Sequence, residues 1–460
     1  MTRVSEERAR GLFHAALLLA LTAGGLMAQQ QKIVTDVFGE KGGKPSLAVI
    51  DFKGTGTQQF MATFNSTLFG DLQHSGLFNM VAKSFFPLNN PQRPEDLKQE
   101  DNKQGFALQD WAGSPTMATH LAFGYTGVVN GVLVLYGNVY DTRQPNIQSA
   151  QLMAQRYTGS VDEAGAIKVA HEFANDIIQK FGGSGSLLGS RIYYVSKRSS
   201  AKDAADELYV MDWDGNNQKP LTNLKSLLLS PGVSPDGTRV AFTTFARGTP
   251  RIMVLNTETG RQMPFYNQEA SMNTTPNFTP DGKQIYYSSS ASGIPQIYVA
   301  DINGQGFRRI THRDNAILVE PKVNPKNANM VLFVGGPGPQ QIYRMNAEGA
   351  DVQRVTNGEG EASNPSWSPD GQRIAFSWTR GYQKGDWNIF VMDIGSGQYT
   401  QLTHSEGRNE NPVWAPDGRH LVFASTRTGH SQIYTMLADG SQVKQLTQQG
   451  SNRSPVWGVK

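Results

Sequence analysis

Five copies of one turn frame, evenly spaced, constrain this chain more than any other feature. They stand at Ser234-Pro235-Asp236-Gly237, Thr279-Pro280-Asp281-Gly282, Asn324-Pro325-Lys326-Asn327, Ser368-Pro369-Asp370-Gly371 and Ala415-Pro416-Asp417-Gly418, with prolines 45, 45, 44 and 47 residues apart. Proline presets φ for a turn, and glycine accepts the positive φ that follows. Each turn leads into a β-prone run such as Val240-Ala241-Phe242 or Ile374-Ala375-Phe376. A third run follows (Gln296-Ile297-Tyr298-Val299 is one), then a Gly-bearing turn, then a short fourth run ending in Leu-Thr or a close variant, as at Thr222, Thr311, Thr356, Thr403 and Thr447. Four strands per 45 or so residues is the period of a β-propeller blade.

The ring closes on paper. Residues 189–222 contain strands two to four of a blade but no preceding strand, whereas Ser454-Pro455-Val456-Trp457-Gly458 matches a first strand with nothing after it. The expected fold is therefore mainly β, a six-bladed β-propeller closed by the C-terminal strand. The competing architecture is an open β-sandwich array.

Before the repeats, Leu47-Ala48-Val49-Ile50-Asp51-Phe52 reads as a buried strand, and Phe60, Phe64, Leu68 and Leu72 mark one face of a helix ending at Ser75-Gly76. Residues 84–105 read as a long loop. Runs near 121–129, 131–140 and 150–158 read as a meander. Ser160-Val161-Asp162-Glu163 reads as a capping box opening a helix with the stripe Ile167, Ala170, Ala174, Ile177, Ile178 and Phe181, stopped by Gly182-Gly183. A smaller α/β domain, 45–183, should thus precede a propeller at 184–460, through the Gly/Ser-rich linker 182–190.

Residues 1–28 have the layout of a secretory signal peptide: Arg3, Arg8 and Arg10, diluted by Glu6 and Glu7, then an apolar run from Leu12 to Leu21. Leu26 is large for a position before a cleavage after Ala28, which leaves the cut open by a few residues. An uncleaved anchor is the alternative, although the run is short for a span. The chain has no cysteine, which excludes a lipoprotein anchor, disulfides and thiolate metal sites and is compatible with an oxidising compartment. A formal charge of +3 without long single-sign runs gives nucleic-acid binding no electrostatic support. The expected address is the periplasm. Residues 29–44 are polar around one β-prone run, Ile33 to Phe38, either a flexible tail or a strand awaiting a partner edge.

An enzyme finds no foothold in these residues. There is no Gly-x-Ser-x-Gly elbow, no phosphate loop and no Gly-x-Gly-x-x-Gly fingerprint. His171-Glu172 begins like a zinc-protease helix, but Asn175 stands where the second His is needed, so His171 reads as a polar-face residue. Asp236, Asp281, Asp370 and Asp417 read as turn formers on the periphery, and Trp367, Trp414 and Trp457 as packing between blades.

Taken together, the 47–52 run, Asp71-Leu72-Gln73-His74-Ser75-Gly76-Leu77-Phe78, the Ala170-His171-Glu172 helix, the Gly-rich hinge and Ser190-Arg191-Ile192-Tyr193-Tyr194-Val195 resemble the TolB family of the Tol–Pal envelope system. Residues 84–105 and the Lys326-Asn327 turn depart from the pattern. The resemblance implies a non-enzymatic, monomeric binding protein without a cofactor, although a channel-bound Ca2+ is compatible with it. Its implied partners are a Pal-like peptidoglycan-associated lipoprotein and a TolA-like inner-membrane protein. The Pal-binding loops map to the connections entering each first strand: Asn273, Thr274, Thr275, Glu320, Glu361, Asn364, Arg408, Asn409, Glu410 and Asn411. Solvation alone would also make such loops polar. The TolA-binding segment maps to Lys32, Ile33, Val34, Thr35, Asp36, Val37 and Phe38. Pal at the mouth is expected to shift this segment between docked and free states. The competing function is an exported propeller that binds glycan or serves as a peptidase-associated lid.

Overall fold

A computed structural model describes residues 43–459 except 89, 99–106, 184–186, 200–204, 382 and 384. The expected signal peptide, the Lys32–Phe38 segment and part of the linker lie outside the described residues.

The N-terminal unit is a mixed sheet of β1 (Ser46–Val49), β2 (Lys53–Thr55), β3 (Asn79–Met80), β4 (His120–Val129), β5 (Val132–Asp141) and β6 (Gln151–Gly159). Its order is β3-β1-β4-β5-β6, with β1 parallel to both neighbours and β4, β5 and β6 an antiparallel meander. Alternation along β4 sends Ala122 to one core and Leu121 and Phe123 to the other. The first core lies under α1 (Met61–His74) and α2 (Glu163–Lys180). The second is filled by Leu97, Leu108 and Trp111 from the long connection before β4.

Phe64, Leu68 and Leu72 are buried on α1 as their spacing requires. The expected stripe of α2 is corrected. Its core face is Ala166, Val169, Ala170, Phe173, Ala174 and Ile177, while Ile167 and Ile178 are half-buried. The expected capping box is corrected as well. The N-cap is Asp162, whose carboxylate accepts the Gly165 N–H at 2.7 Å, and Ser160 donates to that same oxygen.

Six four-stranded antiparallel sheets follow, the last formed by Ser451–Gly458 pairing with Arg191–Lys197. Numbered from that closing sheet as blade one, blades two to six begin with Leu228–Val233, Asn273–Phe278, Leu318–Val323, Ala362–Trp367 and Asn409–Trp414. These first strands contact one another around the ring and are therefore innermost. The Leu-Thr endings and their close variants lock five of the six blades, and in blade two Asn267 Oδ1 accepts the corresponding Ile252 N–H. In blade six, Thr447 Oγ1 donates to Gln432 Oε1 and accepts the Ile433 N–H; Thr311 and Thr356 do the same with Gln296 and Gln341 in blades three and four, and Thr403 with Asn388 Oδ1 in blade five.

The Pro-Asp-Gly turns do build hairpins: Asp370 Oδ1 accepts from Ser368 Oγ and from the Gln372 N–H. In blade four Asn324 Oδ1 takes that part, accepting the N–H groups of Lys326 and Asn327 in a turn one residue longer. The turns are not peripheral as expected. Each lies at the end of an innermost strand and packs on its neighbour, so that a Cβ on Gly371 (φ +71°) would stand 2.3 Å from Asn324 Oδ1. They form a collar around one end of the channel, and the loops entering the first strands surround the other.

The collar end of blades one and six carries the N-terminal unit. His74 stacks on Trp213, Gly76 packs against Leu437, and Leu187 and Leu188 of the linker fill the seam with Trp213 and Trp457. His171 is more than a polar-face residue. Its Nδ1 meets Asp71 Oδ2 at 2.6 Å and ties α2 to α1 beside this seam. Burial opposes a charge on His171, but the Asp71 hydrogen bond and charge prevail and raise its pKa. Burial likewise raises that of Asp71, so the pair retains a proton.

A candidate binding channel through the propeller

Each first strand carries a bulge, and the bulged residue has positive φ: Ser230 (49°), Thr275 (52°), Glu320 (55°), Asn364 (53°), Asn411 (55°) and Ser454 (48°). A proline follows every one of them. The bulge turns six short polar groups into a channel of about 290 Å³, and residues two further on, including Asn277, Lys322 and Ser366, form a second tier. The lining is asymmetric. In the second tier blades three to five contribute Asn277, Lys322 and Ser366, whereas blades six and one contribute Val413 and Val456.

A bulge exposes a backbone N–H that needs an acceptor. The Thr275 N–H donates to Thr243 Oγ1 of the preceding blade at 3.1 Å, and the Asn411 N–H to Ser377 Oγ at 3.2 Å. In the register of blade four the equivalent residue is Val334, which has no acceptor. There Glu320 reaches across instead. Its carboxylate accepts the Asn364 N–H at 2.7 Å and the Asn364 side-chain amide at 3.3 Å. Glu320 and Lys322 touch channel solvent yet are surrounded by protein. Burial raises the Glu320 pKa and lowers that of Lys322, and each is opposed by the other's charge.

The sequence-predicted positions separate into three sets. Thr275, Glu320, Asn364 and Asn411 are the bulged residues of the ring itself. Asn273 and Asn409 are buried two residues before it, donating to the Gln268 and Gly407 carbonyls, and so hold their loops. Thr274 and Glu361 are half-buried at the mouth, and exposed Arg408 pairs with Glu410 at 2.6 Å. Ser230, Ser454 and Lys322 were missed. The residue-before-proline frame could have found the two serines. Trp367 and Trp414 are buried between blades, Trp367 Nε1 donating to the Lys322 carbonyl and Trp414 lying under Arg373. No group of His, Asp and Glu able to hold a metal ion occurs among the described residues.

The family described as the TolB beta propeller domain matches residues 178–377 and 354–460, which together exceed half of the sequence. The chain belongs to the TolB β-propeller family. This TolB-family chain is 31% identical over 225 residues to a "Protein TolB homolog" of Chlorobium chlorochromatii, covering 48% of the chain and 47% of the relative. It is 30% identical over 154 residues to the "Tol-Pal system protein TolB" of Roseobacter denitrificans, covering 33% of the chain and 35% of that protein. The matches thus span about half or less of these curated TolB relatives. The crystal structure of TolB from Acinetobacter baumannii superposes with a TM-score of 0.76 at 22% identity, covering 91% of this chain and 98% of that one, which is a likeness of fold.

Proposed function

We propose that this TolB-family chain is a non-enzymatic, exported binding component of a Tol–Pal system, acting as a monomer in the periplasm. Its propeller mouth takes a Pal-like lipoprotein, and its N-terminal segment 29–44 takes a TolA-like inner-membrane protein, linking the two in support of envelope integrity and constriction. The observation that carries this reading is the ring of six bulged polar residues. It presents short hydrogen-bonding groups at the channel with their backbone geometry already set, which suits docking of a protein loop. The domain division that goes with it is 1–28 signal peptide, 29–44 partner segment, 45–183 α/β domain and 184–460 propeller. No helix among the described residues is long and apolar enough to cross a membrane.

The described N-terminal unit lies at the collar end and the mouth at the other, so in this reading an influence of Pal on that unit crosses the ring. Blade six is suited to this, because it carries Arg408–Asn411 at the mouth and contacts α1 at the collar. The test is deletion of residues 29–38 in the full-length protein. Loss of TolA binding, with Pal binding retained, supports the reading. Unchanged TolA binding, with unchanged dependence on Pal, refutes it.

A further inference from the structure

His420 is the first residue of the second strand of blade six and is only 7% exposed. Its Nδ1 lies 2.6 Å from Asp417 Oδ2, and its Nε2 lies 2.6 Å from the backbone carbonyl oxygen of His74, 346 residues away in the N-terminal unit. Both partners are acceptors. A neutral imidazole has one N–H and one lone pair, so it satisfies one contact and sets a lone pair against an oxygen at the other. Imidazolium satisfies both. The His74 carbonyl belongs to the last turn of α1, where carbonyls lack helical partners and the dipole favours a cation.

We propose that His420 is a protonation-dependent clamp holding the N-terminal unit on blade six. Next to it in sequence, the buried Arg419 lines a small cavity together with Asp417 and Asp71. On its own turn Asp417 is held below the usual carboxylate range: burial opposes this, but the His420 charge, the ring hydrogen bond and the N–H groups of Arg419 and His420 prevail. From α1 comes the His74 ring, whose pKa is lowered by burial and then by Lys444, and from the same helix Asp71. Blade one contributes Asp214 and blade six Lys444, opposite in sign. The clamp therefore has both hydrogen bonds with the ring protonated and one of the two with the ring neutral. This inference needs no partner, so it stands or falls apart from the Tol–Pal reading.

The absence of cysteine permits a clean test in the full-length chain. Ala164→Cys on α2 and Glu258→Cys on blade two are both exposed and can carry a pair of spin labels. Between about pH 5.5 and about pH 8, the distance distribution is expected to be narrow at the acid end and to broaden at the alkaline end. His420→Gln, which donates to the His74 carbonyl without titrating, should abolish that pH dependence. His74→Gln and His171→Gln should retain it. Asp417→Asn checks the clamp by a second route and should also flatten the profile. A parental distribution independent of pH, or the same dependence in His420→Gln as in the parent, would overturn the proposal.

Discussion

Glu320 Oε2 accepts the backbone N–H of Asn364, one blade away, at 2.7 Å. It stands in for a hydroxyl that Thr243 and Ser377 supply at the equivalent positions and Val334 does not. Glu320→Ala should therefore strand a bulge N–H and cost about 1–2 kcal/mol. Val334→Thr should be mildly destabilising alone, because it buries a hydroxyl, but should recover part of the loss when combined with Glu320→Ala. Denaturant unfolding of the double-mutant cycle measures the coupling. Additive effects would show that Glu320 does not serve as this acceptor.

Ring closure is open to the same kind of measurement. Trp457 of the closing strand is 7% exposed, packs with Trp213, Leu446 and Val422, and donates from Nε1 to Ser190 Oγ at 2.8 Å. Trp457→Ala should cost about 3–5 kcal/mol, as expected for a large buried aromatic. Ser190→Ala should cost about 1–2 kcal/mol, because it removes the acceptor for Trp457 and the donor to the Leu187 carbonyl. Equal losses would mean that closure rests on the hydrogen bond and not on packing.

Acid sensitivity has an assignable contributor in Asp141. Its hydrogen bond from the Arg143 side chain is the main cause of a pKa lowered to about 2, against the opposing effect of burial, and Gln144 also donates. A folded-state pKa below the unfolded one contributes stability above about pH 4 and loses it as pH falls toward about 2. Asp141→Asn should thus lower the melting temperature at neutral pH and converge with the parent at the acid end. A constant offset across that range would contradict the assignment.

How much of this was legible in advance depends on the range over which the information is carried. The turn spacing and the unmatched Ser454–Gly458 segment carried the six blades and their closure, because a repeat restates its strand pattern every 45 residues or so. The blade-four turn, with Asn324 in place of an aspartate, was legible as a local change. Roles set by distant neighbours were not. Asp417 looks like its three counterparts in sequence, and only the docked α1 makes it part of a seam. His171 looked solvent-facing because its partner, Asp71, lies 100 residues earlier. The mouth positions came from the family resemblance; the bulge that aims four of them at the channel is a register shift with no letter of its own.

The central claim, that partner binding belongs to the mouth and not to the collar, is tested most directly by titrating the full-length protein with the soluble domain of a Pal-like lipoprotein. Thr274→Arg and Arg408→Glu alter the mouth, whereas Asp370→Asn alters a collar turn. The account predicts that each mouth substitution weakens binding by about tenfold or more, equivalent to about 1.4 kcal/mol, while the collar substitution leaves affinity within about twofold of the parent, or about 0.4 kcal/mol. Undiminished affinity in both mouth variants, or a loss confined to Asp370→Asn, would contradict it.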